Sequence, residues 1–132
     1  MFRIKFSREI ILKILYQIDV NKEFNQDINY IFNKDNLILK GVNNIEMDFI
    51  KKIVNYVKEN RDEIDSVISK NLIGWKLERL TPIDRTLLRM GIAESKFNDK
   101  KAVIIDDIIR IAKKYSEKDS FKIINAILDK VI

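Results

Sequence analysis

The only proline of this 132-residue chain stands in Thr81-Pro82-Ile83-Asp84, and that placement constrains the fold more than any other feature. Proline fits an α-helix only in its first turn, where its missing N–H would have no intrahelical partner. The threonine before it can cap the helix, and an acid at the third helical position suits the positive end of the helix dipole. The three glycines, Gly41, Gly74 and Gly91, are spread out, and there is no Asn-Gly turn and no long period-2 alternation. The chain therefore carries signals for helix ends but not for hairpins, which predicts an all-α fold.

Apolar residues recur at helical spacing on both sides of this mark. Ser7 is predicted to cap a first helix that runs to Asn21, with Ile10, Ile11, Ile14, Leu15 and Ile18 inward. A short second helix is expected over 27–34, and a loop over 35–44. Helices three (46–59) and four (62–71) follow, and Gly74-Trp75 interrupts the pattern. Leu77 and Leu80 anchor a connector over 75–80. Helix five is capped by Thr81 and runs to Phe97, helix six spans 101–115, and Ser116 is expected to cap helix seven, which ends at Val131. The result is one domain over 1–132, a compact bundle of six to seven helices whose halves, 1–74 and 75–132, pack together.

Composition limits the chemistry. Hydrophobic residues make up 46% and charged residues 34%, as in a chain that buries a core. No run approaches the roughly 18 apolar residues of a membrane span. The charged opening, Met1-Phe2-Arg3-Ile4-Lys5-Phe6-Ser7-Arg8, lacks an apolar signal region, so a cytoplasmic address is expected. With no histidine and no cysteine, imidazole bases, thiolate nucleophiles and most transition-metal sites are excluded. No phosphate-cradling glycine loop is present. No enzyme activity and no cofactor are expected.

The net charge of +5 points to an anionic partner, and its placement carries the information. On a helical wheel Lys13 and Tyr16 fall away from the apolar side of the first helix, below a start bearing Arg3, Lys5 and Arg8. Cations beside an aromatic ring suit single-stranded nucleic acid, whose phosphates attract the cations while a base stacks on the ring. An ordinary solvated face has the same residue pattern. A second basic group, Lys113, Lys114, Lys118 and Lys122, surrounds the last inter-helix turn, with Ile123 off the buried stripe beside Lys122. Glu94 falls among Ile83, Leu87 and Met90, so a carboxylate buried there needs a cation, and Arg8 is one candidate. Asp106 and Arg110 are spaced as an exposed i,i+4 pair.

These stretches also carry a resemblance. Arg8-Glu9-Ile10-Ile11-Leu12-Lys13-Ile14-Leu15-Tyr16 is similar to an R-x-x-A-x-x-x-L-Y pattern, and Leu87-Leu88-Arg89-Met90-Gly91-Ile92-Ala93-Glu94 to I-L-R-x-A-x-Y-E. Val103 to Tyr115 resembles V-x-I-N-E-A-V-x-L-A-K-x-F, and Asp119-Ser120-Phe121-Lys122-Ile123-Ile124-Asn125-Ala126-Ile127-Leu128-Asp129-Lys130 resembles D-S-x-K-F-V-N-G-V-L-D-K. Together these are the motifs of the NusB family, while the middle of the chain, 21–73, is similar only in length and helical character.

The resemblance implies a seven-helix antitermination factor that binds the boxA element of nascent ribosomal RNA transcripts. It does so together with a small-subunit ribosomal protein, NusE, and joins RNA polymerase and other Nus factors. By position it implies RNA contacts at Arg3, Lys5, Arg8, Tyr16, Lys122 and Ile123, which Lys13 and Lys118 extend. It also implies protein-partner contacts at Glu78, Asp84 and Asp119. Ile123 stands where the family has an aromatic residue, so only apolar contact is left there. Lys100 replaces a proline, Asp106 an asparagine and Ala126 a glycine. One alternative remains, a helical protein-interaction module or homodimer without RNA binding; the methyltransferases to which this fold is fused elsewhere use a cysteine nucleophile that this sequence lacks, so that reading fails.

Overall fold

A computed structural model describes residues 1–74 and 76–132, so the expected break at Trp75 lies outside the described residues. Among those residues there is no strand. They form α1 (Ile4–Val20), α2 (Asn44–Glu59), α3 (Arg61–Lys70), α4 (Pro82–Ser95), α5 (Lys101–Tyr115) and α6 (Ser120–Val131), with 3-10 turns at Asn29–Phe32, Leu37–Leu39 and Leu77–Arg79.

The start of α4 follows the expected chemistry. Thr81 Oγ accepts the Asp84 N–H at 3.2 Å, and Pro82 is the first helical residue. Three other ends differ from expectation. Ser7 does not cap α1; it lies inside the helix, buried, and its hydroxyl donates to the Arg3 carbonyl at 2.9 Å. Serine can return a hydrogen bond to the preceding turn in this way, and the added turn is fixed from outside by Glu46, which accepts from the Arg3 N–H. The expected second helix shrinks to the turn Asn29–Phe32, with Ile28 and Ile31 buried. Ser116 ends α5 in an extended conformation and its hydroxyl donates to the Asp84 carboxylate, while Asp119, at φ 72°, precedes α6. Asp is among the few non-glycine residues that enter this left-handed region readily.

The start of α2 shows a complete capping box. Asn43 Oδ1 accepts the Glu46 N–H at 2.9 Å, and Glu46 Oε1 accepts the Asn43 N–H at 3.1 Å. The same carboxylate receives Arg3 Nε at 2.8 Å and Nη2 at 2.7 Å. This bond set ties the N-terminal segment to α2.

The core is organised around α4, which packs against all five other helices. Thr86 through Glu94 are all buried. Gly91 allows the close approach of α6, since a Cβ there would lie 2.9 Å from Leu128 Cδ2. Because α4 is buried on most sides, its polar residues need partners inside the protein. At one end Arg85 binds Asp19 of α1 at 2.6 and 3.0 Å, and Arg89 binds Asp65 of α3 at 2.8 and 2.9 Å. At the other end Glu94 takes Arg8 of α1 in a two-pronged pair, Nε to Oε1 at 2.8 Å and Nη2 to Oε2 at 2.6 Å. The two anchor points make α1 and α4 antiparallel.

Arg8 is only 1% exposed, and its third nitrogen, Nη1, donates to Asp107 of α5 at 2.9 Å. One guanidinium thus joins three helices, with the fork geometry that suits arginine and not lysine. Removing one member of such a buried set leaves uncompensated charge, at a cost of about 3–5 kcal/mol. Arg8→Ala is expected to destabilise the protein by about that amount in urea denaturation; an unchanged midpoint would contradict the buried network.

Candidate nucleic-acid interface

On α1 the side opposite the core carries Lys5, Glu9, Lys13, Tyr16 and Gln17. At 100° per residue they fall within about a third of the circumference. Lys5, Lys13 and Tyr16 are exposed, Tyr16 at 39%, while Glu9 and Gln17 are half-buried. An acid within a lysine stripe indicates a partner across a helix boundary. Glu9 Oε1 accepts Lys114 Nζ and the Tyr115 hydroxyl, each at 2.8 Å, and Oε2 accepts Arg110 Nη1 at 3.0 Å. Burial alone would raise the pKa of Glu9, but the donors Lys114, Tyr115 and Arg110 outweigh it and hold the carboxyl at about 2.

This contact brings the last turn of α5 against the exposed stripe of α1. Exposed Lys114 and Tyr115 are therefore held at Glu9, one turn before Lys13 and two turns before Tyr16 on the same stripe. Lys113 lies over the Phe121 ring at 4.7 Å from its centroid. Lys118 and Lys122, both exposed, follow on the connection to α6 and its first turn, Lys122 Nζ lying 3.5 Å from Asp119. Ile123 is half-buried against the core.

Several expected site residues have other duties. Arg8 is sealed between α1, α4 and α5 and has no surface with which to reach a phosphate. Arg3 keeps an exposed edge, but its guanidinium is committed to Glu46 and to the Gly41 carbonyl at 2.6 Å. Asp84 is 5% exposed and accepts from Ser116, so it is an internal brace and not a partner contact. Glu78, in the turn Leu77–Arg79, and Asp119 are exposed. Arg110 pairs with Asp107 at 2.6 Å and with Glu9, in place of the expected Asp106. Asp106 is exposed, as its place on the polar face predicts, whereas Asp107 is buried and points at Arg8.

The family model described as the NusB family matches residues 5–132. The chain belongs to the NusB family. Relatives named transcription antitermination protein NusB include one from Clostridium novyi (strain NT), 36% identical over 96% of this chain and 95% of its own length. Another, from Borreliella afzelii (strain PKo), is 40% identical over 95% and 93%. Among solved NusB structures, one from T. maritima superposes with a TM-score of 0.85 at 31% identity, covering 99% of this chain and 92% of that one. A chain from the crystal structure of antitermination factors NusB and NusE in complex with double-stranded RNA gives a TM-score of 0.81 at 26% identity, covering 96% and 93%. The NusB match begins at Lys5, so Arg3, locked onto Glu46, precedes the matched region.

The depressed Glu9 pKa fixes the sign of a pH effect. A carboxylate at about 2 in the folded chain, against an ordinary value of 4.5, adds stability above pH 4.5 that is lost as pH falls towards 2. Glu9→Gln is therefore expected to be less stable than the wild type at pH 7, with the gap closing between pH 4.5 and 2 in parallel thermal melts. A gap that stays constant with pH would refute the assignment.

Proposed function

We propose that this chain is a non-catalytic, cytoplasmic transcription antitermination factor that binds single-stranded boxA RNA of nascent ribosomal transcripts jointly with NusE. The exposed Lys13–Tyr16 face of α1, with Lys114 and Tyr115 held at Glu9 on the same stripe, carries this reading. Lysines neutralise phosphates and release counterions, while the tyrosine rings offer stacking surfaces to unpaired bases. Lys5 extends the face towards the N-terminus, and Lys118 and Lys122 extend it onto the start of α6. Ile123 adds apolar contact without stacking. NusE contacts are assigned to exposed Glu78 and Asp119, and the assembled pair joins RNA polymerase with other Nus factors. The names of the relatives support the antitermination role, and a solved complex of NusB and NusE with double-stranded RNA supports NusE and RNA as partners.

In this reading Arg8 acts through architecture: it orients α1 so that Lys13 and Tyr16 face outward. Binding to boxA RNA, with and without NusE and at two salt concentrations, tests the function. Tyr16→Ala is expected to lower affinity about five- to hundredfold, the range of one lost base stack. Lys13→Ala is expected to reduce the slope of log affinity against log salt by about one. Binding indifferent to salt, or tight self-association without RNA binding, would overturn the proposal.

A further inference from the structure

The exposed face of α1 does not stop at Tyr16. Just past the end of α1, the Glu23 N–H donates to the Ile18 carbonyl at 2.9 Å, and the Glu23 carboxylate accepts the Tyr30 hydroxyl at 2.5 Å. Tyr30 belongs to the turn Asn29–Phe32, in the middle of the chain, where the sequence motifs are silent. Its hydroxyl is anchored while its ring is left 54% exposed. Beside it opens a surface cavity of about 540 Å³ lined by Asn29, Tyr30, Phe32, Asn33, Lys51 and Asn55.

The lining is chemically selective. It holds two aromatic rings, three side-chain amides and one lysine, and no carboxylate. Lys51 Nζ stands 5.6 Å from the Phe32 ring centroid, which places a cation at the rim. Asn33 Oδ1 accepts the Asp35 N–H at 3.0 Å, so that amide is fixed with its NH2 group outward from the bond. Amides pair with the donor and acceptor edges of bases, aromatic rings stack on their faces, and a rim lysine meets the adjoining phosphate. A cationic or purely apolar partner would find little to match in this set.

We infer that this cavity is a nucleobase subsite for single-stranded RNA, continuing the track along α1 beyond Tyr16. The inference rests on the RNA-binding reading above and extends it to a segment for which that reading assigns no contact. The ligand is a base within a strand that already occupies the Lys13–Tyr16 face. Affinity therefore depends on RNA length in the direction of Tyr30.

The test compares two single-stranded RNAs on the full chain with NusE present: a boxA oligonucleotide, and the same oligonucleotide extended by several nucleotides at either end. For the wild type, one of the extended RNAs is expected to bind more tightly than the core. Tyr30→Ala and Lys51→Ala are each expected to cost about five- to hundredfold and severalfold, respectively, on that extended RNA and to leave the core RNA unaffected. Tyr30→Phe, which keeps the ring and loses only the anchored hydroxyl, is expected to retain most of the gain. Circular dichroism and thermal melts confirm that each variant is folded. Equal wild-type affinity for core and extended RNAs, or undiminished extended binding by a folded Tyr30→Ala, overturns the subsite while the antitermination reading stands. Saturation by free mononucleotides without any length dependence also overturns it. Absence of wild-type binding to any RNA removes both.

Discussion

The fold and its exposed face depend on a guanidinium held away from water. Arg8 sits where α1, α4 and α5 meet, and its three nitrogens are spent on Glu94 and Asp107. The arrangement extends outward as an alternating chain of charge: Glu94, Arg8, Asp107, Arg110, Glu9 and Lys114. Three carboxylates and three cations balance along it, and only the buried Nη2 of Arg110 lacks a hydrogen-bond partner within this chain of charges. The inner end is buried, and the outer end emerges at the surface in Lys114, at Glu9 one turn before Lys13. A structural ion network therefore sets the position of the proposed RNA face.

This explains a division between the two kinds of cation. Arg3, Arg8, Arg85, Arg89 and Arg110 are all engaged by carboxylates, largely in forked pairs that fasten one segment to another. The cations exposed along the proposed RNA face are lysines: Lys5, Lys13 and Lys118, together with Lys114 and Lys122, which stay exposed although they meet Glu9 and Asp119. A planar fork suits fixed bidentate pairing, and a hydrated, flexible ammonium suits a moving phosphate backbone. The net charge of +5 is thus a poor guide to the surface unless one knows which cations are already used.

Much of the fold was legible because helical periodicity is local. The cap at Thr81 and most inward residues of α1 and α5 could be read directly, and Glu94 declared by its apolar neighbours that it needed a cation; Tyr115, whose spacing in α5 predicts an inward ring, is instead exposed and bonded to Glu9. Tyr16 was legible as an outward residue for the same reason. What could not be read depends on contacts distant in sequence. Ser7 looks like a cap until Glu46 is seen to hold Arg3 and extend the helix. Asp84 and Arg8 look available until Ser116 and Asp107 are found across the bundle. Glu9 carried a signal, an acid four residues from a lysine on either side, but its partners lie about a hundred residues away, as Lys114 shows. The Asn43-x-x-Glu46 box was present in the sequence as a local pattern and marks the start of α2 more accurately than the apolar stripe does.

The central claim is that Arg8 is an internal clamp, and a double-mutant cycle between Arg8 and Glu94 tests it most directly. Arg8→Met, Glu94→Gln and the combined variant would be compared with the wild type by urea denaturation at pH 7. The expected result is that the double variant is more stable than the summed losses imply, by well over the ~0.5 kcal/mol scatter of independent sites and up to about 3 kcal/mol. Strict additivity, with each change costing the same in either background, would contradict the account.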